Sequence, residues 1–80
     1  MSTADQVLSV LVRVSETDEV ARDPDLPLYD LNVLDSLKTV ELMVALAERF
    51  GVDISPAEFE RQQWETPRKI VAYVERKLAA

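Results

Sequence analysis

The sequence predicts an all-α fold: a small, irregular four-helix bundle in one domain spanning residues 1–80, with a long loop between the first and second helices. Three observations predict it. Apolar residues recur at helical spacing in three segments, Pro and Gly punctuate the boundaries between segments, and no stretch alternates apolar and polar residues convincingly enough for a strand. A chain of 80 residues leaves no room for a second domain, and at this size folding buries only about 60% of the surface that the unfolded chain exposes.

The first helix is predicted from Thr3 to Glu16. Thr3 and Gln6 make a capping-box pattern, and Ala4, Val7, Leu8, Leu11 and Val14 follow at helical spacing. From Thr17 to Leu34 no period is sustained. Pro24 and Pro27 disfavour helix in the residues before them, while Leu26, Leu28, Leu31 and Leu34 read as anchors pinning a loop to the core. Asp35 is a good N-cap for the second helix, which carries Leu37 to Phe50 and stops at Gly51, the residue best suited to a left-handed C-terminal cap. Ser55-Pro56-Ala57-Glu58 combines a cap, a first-turn proline and a capping-box glutamate, predicting a short helix to about Arg61. Thr66-Pro67 repeats the cap and proline for a last helix to about Leu78, with Ile70, Val71, Val74 and Leu78 as its stripe. Trp64 and Tyr73 read as core, and Glu58, Glu60 and Glu65 as solvated surface.

Composition narrows the function. The chain is 48% apolar and 30% charged, as in a soluble globule, and without Cys it has neither a disulfide framework nor a thiolate metal site. Fifteen acidic against nine basic residues give a net charge of −6, which disfavours nucleic acid and suits basic surfaces on protein partners. No window approaches the roughly 18 apolar residues of a membrane span, and no basic stretch leads into an apolar run at Met1–Asp5. Stable membrane insertion is not expected, and the reading is a cytoplasmic monomer. Asp23, Asp25 and Asp30 suggest a calcium loop, but Pro27, Leu28 and Leu34 stand where that loop needs an oxygen ligand, glycine and glutamate, so no metal is expected.

The second helix is too apolar for one buried face. With Leu42 at zero and about 100° per residue, Leu46, Phe50 and Met43 fall within roughly 100°, a normal core stripe. Ala47, Val40, Val44 and Leu37 continue the arc to about 220°, Ser36 projects near 120°, and Glu48 and Glu41 border the arc at about 240° and 260°. Either the wide arc packs against two neighbouring helices, or Leu37, Val40 and Val44 form an exposed docking strip rimmed by carboxylates.

Ser36 has two local readings as well. A hydroxyl nucleophile needs a base; the chain has no His, and Lys38 has no marked means of losing its proton, so hydrolysis is not expected. Ser36 either belongs only to the cap, or is esterified with a phosphate, which the free N–H groups and positive dipole end of a helix start favour.

Asp35-Ser36-Leu37, followed by Thr39-Val40-Glu41-Leu42, resembles the attachment site of phosphopantetheine-dependent carrier proteins, and the helix layout resembles their acyl carrier protein fold over about residues 5 to 78. Within that superfamily the run Glu58-Phe59-Glu60-Arg61, then Trp64 and Thr66-Pro67, looks like the D-alanyl carrier type of the cell-wall teichoic acid pathway. The resemblance implies that Ser36, beside Asp35, receives a 4′-phosphopantetheine arm from coenzyme A through a separate phosphopantetheinyl transferase. It implies that the arm's thiol carries an aminoacyl thioester, and that the protein is a non-catalytic substrate of an adenylating ligase and an acyltransferase. Leu37, Lys38, Val40, Glu41, Val44 and Glu48 become the expected partner surface. Two positions depart from the pattern. Asn32 stands where carriers usually have glycine, and asparagine is the other residue that tolerates positive φ. Lys38 stands where D-alanyl carriers commonly have glycine. With six Arg against three Lys, Lys38 turns the expectation toward a discrete aminoacyl carrier for starter units of polyketide and macrolactam natural products. Teichoic acid D-alanylation is the alternative, and an unmodified helical interaction module the second.

Overall fold

The computed structural model describes residues 2–80, so Met1, the first residue of the expected domain, lies outside the described residues. Four α-helices follow in order: α1 Thr3–Ser15, α2 Glu19–Arg22, α3 Ser36–Phe50 and α4 Pro67–Ala79, with 3-10 turns at Pro56–Glu58 and Arg61–Gln63 between the last two. Among the described residues there is no strand.

α1 packs against α2, α3 and α4, which makes it the spine of the bundle. Val7, Val10 and Leu11 are its buried stripe, with Leu8 and Val14 half-buried beside them. Ser15 is buried at the C-terminal end of the same face and donates its hydroxyl hydrogen to the Leu11 carbonyl at 2.7 Å, as a buried hydroxyl must find an acceptor. The cap is one residue earlier than the sequence pattern suggests: Ser2 Oγ accepts from Asp5 N at 3.1 Å. Glu16 stands just past the helix as a left-handed cap, φ 62°, its N–H donating to the Val12 carbonyl.

Within the expected loop, Glu19–Arg22 forms the one-turn helix α2, which periodicity over a longer window does not reveal. Thr17 Oγ1 accepts from Glu19 N, and Asp18 pairs with Arg22 one turn on. Pro24 ends it by pushing Asp23 into the extended region, φ −124° and ψ 98°. Leu26, Leu28 and Leu34 anchor the rest as expected, whereas Leu31 points outward at 55% exposure. The loop is tied to the start of α4: Arg68 N donates to the Pro24 carbonyl and Leu28 N to the Glu65 carbonyl, both at 2.9 Å.

The expected helix from Ser55 to Arg61 is instead two 3-10 turns separated by extended Phe59 and Glu60. Ser55 does cap, accepting from Ala57 N, but the Glu58 carboxylate pairs with Lys77 of α4 at 3.0 Å instead of closing a capping box. The break has a geometric reason. Phe59 and Trp64 both turn inward and their rings lie 6.1 Å apart, yet on one continuous helix five residues separate two side chains by about 140°. Trp64 is fully buried, 5.0 Å from the Tyr73 ring, so both aromatics belong to the core as their composition suggested. Thr66 caps α4 by accepting from Lys69 N, and Ile70, Tyr73 and Val74 complete the core.

Candidate functional site

Ser36 is the first residue of α3, and Asp35 is its N-cap, with extended backbone and a carboxylate oxygen accepting from Lys38 N at 2.8 Å. The cap holds the first turn in place while Ser36 stays exposed. Upstream, Asn32 adopts φ 57°, the conformation its residue type was expected to allow, and a turn closed by Val33 N and Leu34 N on the Leu28 carbonyl delivers the chain to Asp35.

The wide apolar arc of α3 resolves into two faces. Leu42, Met43 and Leu46 are buried, and Phe50 and Ala47 half-buried, whereas Leu37 is 68%, Val40 44% and Val44 52% exposed. Glu41 and Glu48 are exposed on the border. The strip is therefore largely open to solvent and is not a second packing face. Lys38 differs from the other expected partner residues. It is half-buried, and its ammonium reaches across to Glu16 at the end of α1, 3.6 Å away, which turns the cation toward α1.

A cleft of about 460 Å³ opens beside Ser36, lined on the α3 side by Ser36, Thr39, Val40 and Met43 and opposite by Tyr29, Phe59 and Arg61. Sequence reasoning passed over Tyr29 and gave Thr39 no role beyond its place in the stretch that follows the serine motif. The only signal for Tyr29 was its closeness to the serine motif; Arg61 was visible as part of the Phe59-x-Arg61 run. Burial pushes the Tyr29 hydroxyl above its ordinary pKa, partly opposed by its hydrogen bond to Thr39 and by Arg61. The chain has no His, and one oxygen of the Asp35 carboxylate is engaged with the Lys38 backbone. What the arrangement provides is an accessible hydroxyl at a helix start, an adjoining apolar cleft and an exposed apolar strip. No described helix is long and apolar enough to cross a membrane, and among the described residues no cluster of acidic side chains is arranged to hold a metal.

A family model described as "Phosphopantetheine attachment site" matches residues 5–74. The chain is similar to the D-alanyl carrier protein of Lacticaseibacillus rhamnosus, 44% identical over 69 residues covering 86% of this chain and 85% of that one. It is 42% identical over 71 residues to the D-alanyl carrier protein of Bacillus velezensis, covering 89% and 91% of the two chains. With that of Staphylococcus saprophyticus it shares 37% identity over 75 residues, covering 94% and 96%.

Proposed function

The chain belongs to the phosphopantetheine-dependent carrier protein superfamily, and from that premise we propose that Ser36 is its attachment point and an aminoacyl group, D-alanyl first among candidates, its cargo. The carrying observation is the exposed serine at the start of α3 with an open cleft beside it. The residues fit the cofactor: nothing walls in the hydroxyl, and the cleft walls are largely apolar. Ser36 Oγ forms a bond to the phosphorus of coenzyme A that carries the pantetheine. The pyrophosphate P–O bond breaks, adenosine 3′,5′-bisphosphate leaves, and the serine proton passes to a base on the transferase, which supplies what this chain lacks. Once attached, the cofactor supplies a thiol on which an acyl group is held as a thioester.

The protein's own contribution is recognition. Leu37, Val40 and Val44, bordered by Glu41 and Glu48, form a small apolar patch with steering charges, suited to brief visits by a transferase, an adenylating ligase and an acyltransferase. Similarity to D-alanyl carrier proteins over most of their length supports D-alanyl cargo and moves the reading away from natural-product starter units. Lys38, the residue that favoured the latter, pairs with Glu16 and so adds little free charge to the rim. The cytoplasm, where coenzyme A and adenylating ligases work, is the proposed location.

Incubating the purified protein with coenzyme A and a promiscuous phosphopantetheinyl transferase should add one phosphopantetheinyl unit by intact-mass measurement, and Ser36→Ala should add none. A wild-type protein that stays unmodified overturns the proposal. Offering the modified protein to a D-alanine-activating ligase, against ligases for other amino acids, then identifies the cargo.

A further inference from the structure

Tyr29 joins three segments around Ser36, and the carrier reading gives it no role. Its hydroxyl shares a 2.8 Å hydrogen bond with Thr39 Oγ1, on the first turn of α3 three residues beyond Ser36. Thr39 is 5% exposed. The Tyr29 ring meets Phe59 edge-on, centroids 6.3 Å apart and planes at 72°. On its other contact the Arg61 guanidinium lies 5.4 Å from the ring centroid, with Nη2 3.1 Å from Asp30 Oδ1. Tyr29, Thr39, Phe59 and Arg61 all line the cleft that contains Ser36. One side chain thus links the loop entering α3, the helix turn that presents the serine, and the 3-10 segment opposite.

Each contact is weak singly, the exposed ion pair above all, but they converge on the stretch between the buried anchors Leu28 and Leu34, where they supply the side-chain ties across the cleft. Asp30, Leu31 and Asn32 on the same loop are exposed. Without the tyrosine hydroxyl, Thr39 keeps only acceptors on its own helix, such as the carbonyl one turn back, and the first turn of α3 loses its tie across the cleft. Of the partner strip, Leu37 shares the first turn of α3 and Val40 borders the cleft, whereas Val44 lies further along the helix. A change at Tyr29 removes no side chain of the docking strip and acts chiefly on how the hydroxyl is aimed.

We propose that Tyr29, through its bond to Thr39 and its contacts with Phe59 and Arg61, is a positioning residue that sets the orientation of the α3 first turn and hence the approach to Ser36. This rests on Ser36 being the modified residue. Because a misaimed nucleophile loses rate after docking, Tyr29→Phe should lower kcat for phosphopantetheinylation about fivefold and leave KM for the carrier within twofold of wild type. Thr39→Val should do the same. The double variant should be no slower than either single one, since both remove the same bond. Arg61→Gln, which releases the other side of the ring, keeps the idea testable if either variant fails to fold.

Amide chemical shifts of Ser36 and Leu37 in the unmodified Tyr29→Phe protein give a readout independent of any transferase, and they should move relative to wild type. Unmoved amides, a kcat within twofold of wild type, an effect confined to KM, or additive losses in the double variant would each overturn the proposal. If wild type takes no arm while the amides still move, the attachment reading fails and the positioning role stands.

Discussion

Asp35 serves both the fold and the site, and two substitutions separate those roles. Its carboxylate accepts from Lys38 N at 2.8 Å, and loss of an N-cap acceptor costs about 1 kcal/mol. Asp35→Ala should therefore lower stability by about that amount in urea unfolding. Asp35→Asn keeps an acceptor at the same position and should stay within about 0.5 kcal/mol of wild type. The asparagine variant isolates the negative charge next to Ser36: a slowed transferase reaction with unchanged stability would assign that charge to recognition. At this scale the motif residues were readable because Asp, Ser and Asn each have a backbone preference that local sequence exposes: a cap at Asp35, a helix start at Ser36, a positive φ at Asn32. Tyr29 was not readable. Its meaning lies in a contact with Thr39 ten positions away and another with Arg61, and no local preference encodes a pairing across a cleft.

Both ends of α3 and the start of α4 follow from capping chemistry, which is why their positions agree with the sequence to within a residue. Gly51 shows the reason most cleanly. It has φ 65°, its N–H donates to the Ala47 carbonyl, and an added Cβ would meet nothing within 4 Å. The glycine is needed for its backbone conformation and not for space. Gly51→Ala should therefore cost about 1 kcal/mol by urea unfolding, without repacking of the core, while Gly51→Asn should cost less, because asparagine tolerates the left-handed region. The segment from Ser55 to Gln63 misled sequence reading for a complementary reason. Ser55, Pro56 and Glu58 give a correct local start signal, but the inward packing of both Phe59, half-buried, and Trp64, fully buried, overrides continuation. Likewise α2 is only four residues long, too short for a 3.6-residue period to repeat. Burial of one arc of α3 was legible from spacing; that the adjoining arc stays uncovered depends on where α1 and α4 sit, which is a property of the assembled bundle.

Three contacts between segments make the stability of the whole molecule sensitive to pH at both ends. The Tyr29 hydroxyl is held above its ordinary pKa of 10.0, chiefly by burial, and Lys77 above 10.5, chiefly by its hydrogen bond to Glu58. In both cases the folded chain keeps a proton that the unfolded chain has released. The stability they contribute is thus fully present below pH 10 and is lost as pH rises through the raised folded values. On the acid side Asp25 is held below 3.8 by its hydrogen bond to Arg68; here the unfolded chain takes up the proton first, so stability falls as pH drops from about 4 through the depressed value. The affected links are those that fasten the loop and the 3-10 segment to the helices: Asp25 to α4, Glu58 to α4, Tyr29 to α3. Urea midpoints measured across pH should accordingly form a plateau with a fall at each end. Tyr29→Phe should flatten the alkaline fall and leave the acid one unchanged, because a phenylalanine has no proton to lose. An alkaline limb identical in the two proteins would mean that Tyr29 titrates as it does in the unfolded chain, and that its burial against Phe59 and Thr39 does not favour the neutral phenol.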